Sequence, residues 1–308
     1  MQMANTQVGD PLLRRNVRQA QREAAGAVQR LLRMGVYIHI HVDWSLPGDW
    51  LGTPDFVVYE RHESRLQRRA LAGCLAVGAD PLPAAWVRVA AVDSAAAFAQ
   101  CAAMFGVVLE SLDPRVDEIA WFITDNWPQH WLERLDFTPV GNVMSFIKDD
   151  LETAPFAAPG DLTIRSLRPE DLPALEAMEA AAFEPRWRHS ARGLEMAWRQ
   201  AISFDVALLA GEPVAFQFST GGGGGAHLAR MTVRPDYQGQ GIGAALLAHA
   251  LEGYRKRKLR GVTLNTQEDN VASQRLYTRF GFRPTGFSYP VWSYYPGREA
   301  HSRTVSGV

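Results

Sequence analysis

A glycine-rich turn between a strand pattern and a helix pattern constrains the fold of this chain more than any other feature. The alternating segment His227-Leu-Ala-Arg-Met-Thr-Val233 is followed by Arg-Pro-Asp-Tyr-Gln-Gly-Gln-Gly-Ile-Gly-Ala-Ala-Leu-Leu247. A helix N-terminus presents unpaired N–H groups and the positive end of the helix dipole, and glycines let an anion reach those groups without meeting a Cβ atom. The order strand, turn, helix therefore predicts an α/β fold that binds a phosphate group at this turn.

Two familiar phosphate loops do not fit this turn. A Walker loop needs a lysine followed by serine or threonine, and Gly239-Gln-Gly-Ile-Gly243 lacks the GxGxxG spacing of a dinucleotide-binding fold. A tight turn without any ligand is the alternative, but it does not explain the polar Gln238 and the preceding strand together. We therefore expect a different phosphate-bearing cofactor.

Composition excludes several classes of protein. The 47% hydrophobic and 21% charged residues and the net charge of -1 predict a soluble globular protein without a nucleic-acid partner. Cys74 and Cys101 belong to no metal-binding or disulfide pattern, so we expect neither a metal site nor a disulfide framework. The absence of a membrane-length apolar segment or a signal-peptide core predicts a cytoplasmic protein with no membrane partner. The composition does not predict the oligomeric state.

The chain length of 308 residues favours two domains. Apolar residues three and four apart between Leu12 and Met34 predict an amphipathic helix, with a targeting peptide as the alternative that Asp10 and Glu23 oppose. An aperiodic acid-, alanine- and proline-containing stretch predicts a linker. The predicted parts are an N-terminal helix (1–34), a first domain (35–150), the linker (151–160), a second domain (161–293) and a flexible tail (294–308).

Two local patterns predict structure rather than chemistry. The run Gly221–Gly225 has no side chain that can pack and predicts a flexible turn. Six of the nine tryptophans lie in the first half, where core packing is favoured over an aromatic acceptor cleft. These six are Trp44, Trp50, Trp86, Trp121, Trp127 and Trp131.

Two motifs together resemble a known family. Gln238-Gly-Gln-Gly-Ile-Gly243 resembles the pyrophosphate loop of the GNAT superfamily of N-acetyltransferases, and Asn270-Val-Ala-Ser-Gln-Arg-Leu-Tyr-Thr-Arg-Phe-Gly-Phe282 is similar to its second signature. The resemblance covers residues 161–293. It implies acetyl-coenzyme A (acetyl-CoA) as cofactor and an α/β fold with a mixed, mostly antiparallel twisted sheet flanked by helices.

The resemblance also implies the cofactor-binding residues. The backbone of Met231 and Val233 would pair with the pantetheine arm, which requires the sheet to splay open beside that strand. The loop amides would hold the pyrophosphate, and Asn270 and Ser273 would contact the rest of the cofactor. The complete predicted set is Met231, Val233, Gln238, Gly239, Gln240, Gly241, Ile242, Gly243, Ala244, Asn270 and Ser273.

Two residues are expected to move protons. The resemblance places Tyr277 near the thioester sulfur, where a phenol with an ordinary pKa of about 10 can protonate the leaving thiolate. A core tyrosine is the alternative. His227 stands where many family members carry a glutamate base, in the same strand phase as Met231 and Val233, and its imidazole suits a base at neutral pH. A histidine at a turn edge is the alternative.

A second, weaker copy of the pattern lies in the first half. Trp131-Leu-Glu-Arg-Leu-Asp-Phe-Thr-Pro-Val-Gly141 resembles Leu276-Tyr-Thr-Arg-Phe-Gly-Phe-Arg-Pro-Thr-Gly286, so the chain resembles a tandem of two GNAT folds. In this alignment Leu132 replaces Tyr277, and Asp93-Ser-Ala-Ala-Ala-Phe98 replaces the glycine loop. The first copy is therefore expected to be degenerate and non-catalytic.

The sequence thus predicts acetyl transfer from acetyl-CoA to a primary amine of a small molecule or a peptide N-terminus. Neither signature contains a cysteine that could carry an acyl group, so we expect direct attack in a ternary complex. The tandem arrangement also resembles mycothiol synthase, which acetylates a cysteinyl-sugar amine. A non-enzymatic acyl-CoA sensor or scaffold is the alternative from another class.

Overall fold

A computed structural model describes residues 10–63, 68–153 and 159–297. The chain divides into two compact units. One contains the described residues up to Val140 together with those from Pro290 onward, and the other is Gly141–Tyr289. Residues 154–158 of the predicted linker and 298–308 of the predicted tail lie outside the described residues.

Helices and strands alternate along the first unit. Its elements are α1 (Pro11–Arg14), β1 (Val17–Gln19), α2 (Ala25–Met34), β2 (Tyr37–Ile40), β3 (Phe56–Glu63), β4 (Arg68–Gly78), β5 (Ala84–Val92), α3 (Phe98–Ser111), β6 (Glu118–Phe122), α4 (Gln129–Arg134) and the start of β7 (Thr138–Lys148).

The second unit contains most of β7 and the elements after it. These are β8 (Leu162–Ser166), α5 (Leu172–Ala182), α6 (Ala191–Gln200), β9 (Ser203–Leu209), β10 (Glu212–Gly222), β11 (Gly225–Val233), α7 (Ile242–Lys256), β12 (Val262–Gln267), α8 (Val271–Arg279) and β13 (Arg283–Tyr294), whose last residues belong to the first unit.

Both sheets are mixed and mostly antiparallel. The strand order is β1-β3-β4-β5-β6-β13 in the first unit, where β2 also pairs with β5, and β13-β7-β12-β11-β10-β9-β8 in the second. The pairs β5–β6 and β11–β12 are parallel, whereas the others with a described register are antiparallel. This arrangement confirms the predicted fold class.

The single helix predicted over residues 1–34 is wrong within the described part. After α1 the chain forms β1, whose Val17 lies opposite Tyr59 of β3. Pairing with a neighbouring strand outweighs helical periodicity at this point, because local propensity is weak compared with tertiary contacts. The predicted amphipathic face survives in α2, where Val28 and Leu31 are buried. Residues 1–9 lie outside the described residues.

The first unit is closed by two hydrophobic clusters. The cluster that includes Met104 and Phe105 of α3 also contains Trp121, Trp127 and Trp131, and α2 contributes to the other cluster. These tryptophans are therefore core residues, as predicted.

Helices cover both faces of the second sheet. Ser219 of β10 is hydrogen-bonded to Tyr254 of α7, whereas the neighbouring Phe218 contacts His189 at the start of α6, with ring centroids 6.1 Å apart. Successive side chains of a strand point to opposite faces. We therefore distinguish the α7 face, which carries Ser219, from the α6 face, which carries Phe218.

The glycine run is not the flexible turn that the sequence predicts. Gly222 and Gly225 are paired in the β10–β11 ladder, so the turn itself consists of Gly223 and Gly224, with φ angles of 58° and 82°. Arg260 donates a hydrogen bond of 2.8 Å from Nη2 to the Gly223 carbonyl. Continued strand pairing and this arginine hold the glycine run in a tight hairpin.

The chain crosses between the units at two strands rather than once at the predicted linker. Residues Val143–Lys148 of β7 pair with β12 in the second unit. Residues Val291–Tyr294 of β13 pair with β6 in the first unit. Each sheet thus contains a strand from the other half of the sequence. Among the described residues, no helix has the length and apolar composition needed to span a membrane.

Candidate functional site

A gap opens between β11 and β12 in the second unit. The two strands pair in parallel where Ala226–Leu228 face Val262–Leu264, and within the described residues their pairing ends there. Beyond this point β11 continues to Val233 in register with β10, while β12 continues to Gln267 in register with β7. We call the opening between the diverging strands the splayed gap. Its presence matches the opening that the family resemblance requires.

A β-bulge lies where the splayed gap begins. In the β10–β11 ladder, Ser219 lies opposite Leu228 and Phe218 lies opposite Arg230, so Ala229 is the extra residue of β11. A bulge of this kind shifts the alternation of the strand by one residue. Every residue of β11 after Ala229 therefore points the opposite way from what an uninterrupted strand would give.

The bulge decides which backbone groups face the gap. The N–H of Arg234 donates to the Val214 carbonyl of β10 at 3.0 Å. Because backbone groups alternate between the two sides of an antiparallel strand, those of Met231 and Val233 point away from β10 and toward the splayed gap. The structure thus places both predicted backbone positions at the gap.

The predicted phase of His227 is wrong for the same reason. Leu228 packs in the cluster with α7, so the adjacent His227 lies on the α6 face. Met231 packs against the same α7 cluster, and Val233 follows its phase. His227 therefore lies on the opposite face from Met231 and Val233, because Ala229 inserts one extra residue between them.

The glycine loop leads from β11 into α7. Gly239 and Gly241 have φ angles of 75° and 82°, a conformation that glycine adopts without strain. A Cβ atom built on Gly239 would meet no atom within 4 Å, so the space beside it is open. The earliest backbone hydrogen bond of α7 runs from Ala245 N–H to the Gly241 carbonyl at 3.0 Å. The N–H groups of residues 242–244 therefore have no acceptor inside the helix.

Glutamine side chains brace this loop. Gln238 donates from Nε2 to the Val233 carbonyl at 3.1 Å, and Gln240 donates from Nε2 to the Asp236 carbonyl at 3.2 Å. Both glutamines are exposed. Their side chains therefore shape the loop, which offers a ligand mainly its backbone N–H groups.

The first turn of α7 also offers backbone groups. The side chains of Ile242 and Ala244 are buried in the core. A Cβ atom on Gly243 would lie 3.5 Å from both Val233 and Leu276, which is ordinary contact distance. The predicted residues Ile242, Gly243 and Ala244 can thus reach a ligand through their N–H groups, because their side chains point into the protein.

The start of α8 carries the next two predicted residues. Asn270 caps the helix by accepting a hydrogen bond of 3.1 Å at Oδ1 from the Ser273 N–H. Both residues are half-buried. The asparagine of the second signature therefore has a structural role at the helix start, in addition to any contact with a ligand.

Tyr277 combines the two roles considered for it. Its ring packs between Phe146 and Phe282, with centroids 6.4 Å and 5.7 Å away, and the residue is 6% exposed. Burial raises the pKa of the phenol to about 12, although a hydrogen bond with Ser273 and the charge of Arg230 act in the opposite direction. The hydroxyl therefore keeps its proton at neutral pH and can act as a donor.

His227 is half-buried beside the beginning of the splayed gap. Its Nδ1 atom lies 2.9 Å from the Oγ1 of Thr263 on β12. Burial lowers the pKa of the imidazole below its ordinary value of 6.5. The ring is therefore neutral at pH 7 and able to accept a proton. Tyr277 packs with Leu228 on the α7 face, so the two titratable groups lie on opposite faces of the sheet.

Sequence reasoning missed a buried ionic cluster on the α6 face. Glu179 of α5 is 0% exposed and pairs with Arg230 of β11. It also accepts hydrogen bonds from Thr232 Oγ1 at 2.7 Å and from the His189 N–H at 3.1 Å. No local pattern signals this cluster, because its members lie up to 53 residues apart.

The first unit repeats the strand arrangement with a different outcome. β5 and β6 pair in parallel at Ala84–Trp86, and Arg88 is the extra residue of a bulge that follows. Beyond the bulge, β2 pairs with β5 on the edge that β6 has left, with His39 opposite Ala90 and Tyr37 opposite Val92. The chain itself therefore fills this gap.

Comparisons with known proteins agree with this geometry. The model of the acetyltransferase (GNAT) family matches residues 172–282. The [ribosomal protein bS18]-alanine N-acetyltransferase of Escherichia coli K12 is 32% identical over 140 residues, which cover 44% of this chain and 91% of that protein.

Two solved structures resemble nearly the whole chain in fold. A GCN5-related N-acetyltransferase from Sphaerobacter thermophilus aligns with a TM-score of 0.59 and 18% identity, covering 92% of this chain and 96% of its own. A tandem GNAT protein from the clavulanic acid biosynthesis pathway aligns with a TM-score of 0.58 and 13% identity, covering 92% and 99%.

Proposed function

The chain belongs to the acetyltransferase (GNAT) family, and from that premise we propose that its second unit transfers the acetyl group of acetyl-CoA to a primary amine. The observation that carries the proposal is the splayed gap, which combines the gap-facing backbone of Met231 and Val233 with the N–H groups at the start of α7. An extended amide chain that ends in a phosphate group complements both features.

The residues present fit acetyl-CoA. Met231 and Val233 would pair with the pantetheine amides, and the N–H groups from Gly239 to Ala244 would hold the pyrophosphate, where the open space beside Gly239 admits it. Asn270 and Ser273 would line the remaining path. When bound, the cofactor supplies an acetyl group activated as a thioester.

Tyr277 and His227 would move the two protons of the reaction. An amine is mostly protonated at neutral pH, so His227 would remove a proton from the acceptor nitrogen. The new N–C bond then forms as the C–S bond breaks, and Tyr277 Oη donates its proton to the departing sulfur. The opposite faces of the two residues suit attack from one side and departure on the other.

The acceptor class follows from a relative and is tested directly. The E. coli relative is named for acetylating an alanine of ribosomal protein bS18. We therefore rank a peptide N-terminal amine first and small-molecule amines, including an amino sugar, second. The panel is a tripeptide with N-terminal alanine, an N-blocked lysine peptide and glucosamine, each assayed by release of free thiol from acetyl-CoA.

Calorimetric titration with acetyl-CoA tests the cofactor. We expect one site per chain, abolished by Gly241→Glu, which places a negative side chain at the helix start. Gly211→Glu is the matched control, since Gly211 has a similar φ of 86° and open space around it but lies in the β9–β10 turn. Absence of binding to the unaltered protein would refute the proposal, and two sites would refute a silent first unit.

A further inference from the structure

The segment between α5 and α6 is fastened to β11 by one carboxylate. Both oxygens of Glu179 are engaged: Arg230 Nε donates to Oε1 at 3.0 Å, while His189 reaches Oε2 through its N–H and through Nδ1 at 3.0 Å. The second nitrogen of Arg230 contacts Oε2 as well. A single buried group thus ties the end of the segment to the strand.

Arg230 extends the attachment along the segment. Its Nη2 also donates to the Trp187 carbonyl, and its guanidinium lies over the Phe183 ring, 3.6 Å from the centroid. Both ends and the middle of residues 183–189 therefore contact Arg230 or Glu179. We call Glu179 and Arg230 with these contacts the clamp.

The clamp is charged under all ordinary conditions. Burial opposes ionisation of Glu179, but the charge of Arg230 and the hydrogen bonds and charge of His189 outweigh it and hold the pKa at about 2. Breaking a buried, fully engaged pair leaves an uncompensated charge, which the surrounding structure relieves by moving. Loss of the carboxylate charge should therefore displace the segment.

The position of the clamp connects it with the splayed gap. Because of the bulge at Ala229, Arg230 and Thr232 project side chains onto the α6 face, while Met231 between them turns its backbone to the gap. Thr232 also donates to Glu179 at 2.7 Å. The same three residues therefore face the gap on one side and hold the segment on the other.

We propose that Glu179 and Arg230 are positioning residues, which set the segment of residues 183–189 as the acceptor-contacting wall of the reaction site. This inference rests on the proposed function and assigns the acceptor side of it. Neither residue touches the reacting atoms. Since a misplacement of about 1 Å can reduce a rate about 10²-fold, the effect should appear in acceptor kinetics rather than in cofactor affinity.

The test compares Glu179→Gln with Asp171→Asn. Asp171 is 5% exposed, lies just before the same helix α5 and pairs with Arg165 at 2.7 Å, so its variant loses a comparable buried pair. Measurements are the Kd for acetyl-CoA, saturation kinetics with the most active amine of the panel, the melting temperature, and hydrogen exchange of the amides of residues 183–190.

We expect Glu179→Gln to lower kcat/KM for the amine about 10²-fold, to keep the acetyl-CoA Kd within about twofold, and to speed exchange in residues 183–190. Asp171→Asn should lower the melting temperature without these changes. Arg230→Lys, which keeps the charge but loses one nitrogen, should act in the same direction more weakly and replaces Glu179→Gln if that variant does not fold.

Three outcomes would overturn the inference. These are unchanged exchange in Glu179→Gln, unchanged amine kinetics despite lower stability, or equal effects in Asp171→Asn. Failure of the unaltered protein to bind acetyl-CoA would instead refute the proposed function, and the exchange measurement would still report whether the clamp holds the segment.

Discussion

The two units contain the same strand device with different occupants. In each, a central strand pairs in parallel with its neighbour for three residues, carries a bulge, and then diverges from that neighbour. In the first unit β2 lies against the freed edge of β5, whereas β11 in the second unit leads into a glycine loop. A splayed sheet is therefore an opening that an extended chain can fill, and the flanking sequence determines which chain fills it.

The first unit also indicates how the second would bind its ligand. Ala90 and Val92 follow the bulge at Arg88 by the same number of residues as Met231 and Val233 follow the bulge at Ala229. The Val92 carbonyl accepts a hydrogen bond of 2.8 Å from the Val36 N–H. The freed edge of such a strand thus accepts an extended backbone, which supports the same role for the edge of β11.

The largest expected effect concerns the hydroxyl that distinguishes the units. A positioned general acid contributes about 10²- to 10⁴-fold to a rate, so Tyr277→Phe should lower kcat for acetyl transfer by about that factor. The Kd for acetyl-CoA should stay within about twofold. Thiol release and calorimetry measure the two quantities.

Leu132→Tyr is the matched variant for Tyr277→Phe, because it places a hydroxyl at the corresponding position of the first unit. It should leave both turnover and the single binding site unchanged. An unaltered kcat in Tyr277→Phe would contradict the role of the phenol and favour an acyl-CoA sensor.

An intermediate effect is expected from His227. A base must be unprotonated, and burial lowers the pKa of this imidazole, so activity should fall as pH drops below about 6.5. His227→Gln should lower kcat/KM about 10²-fold at pH 7 and remove that acidic limb.

The pH–rate profile is compared with that of His249→Gln, which alters a histidine of α7 with a side chain that is 45% exposed. This control should keep the acidic limb. Equal turnover of His227→Gln and the unaltered protein from pH 6 to 9 would rule out His227 as the base.

The smallest effect on activity is expected from the occupant of the first gap. His39 of β2 is 0% exposed, donates or accepts at Nε2 to the Val87 carbonyl at 3.0 Å, and burial lowers its pKa to about 4. The unfolded chain then binds the proton more readily, so stability is full above about pH 6.5 and declines as pH falls toward 4.

Urea unfolding measures this decline. From the two pKa values it should approach ~3 kcal/mol in the unaltered protein, and His39→Gln should remove most of it without changing acetyl transfer at pH 7. An identical pH dependence in both proteins would show that His39 is not kept neutral by its burial.

Sequence reasoning was most successful where backbone conformation dictates residue type. Gly239 and Gly241 are required by their positive φ angles, and the order of the two signatures led to the family and to the tandem of two GNAT folds, both of which are confirmed. The positions of Met231 and Val233 at the gap also agree with expectation, although their contacts with a cofactor stay predictions.

The errors share one physical origin, which is pairing between distant parts of the chain. Ala229 carries no signal for a bulge, so the phase of His227 could not be read from alternation. Val17 follows a helical period yet joins a strand, because β3 is its partner. Glu179 and Arg230 are unremarkable in their own segments and gain meaning through an ion pair across 51 residues.

The two crossings of the chain bear on the history of its gene. A break at the linker would remove Val143–Lys148 from beside β12 and Val291–Tyr294 from beside β6, so each fragment would carry an unpaired strand edge. Recombination or deletion at that point would therefore damage both products. Selection on the unit with the glycine loop thus preserves the other half as well, even after that half has lost the loop and the hydroxyl.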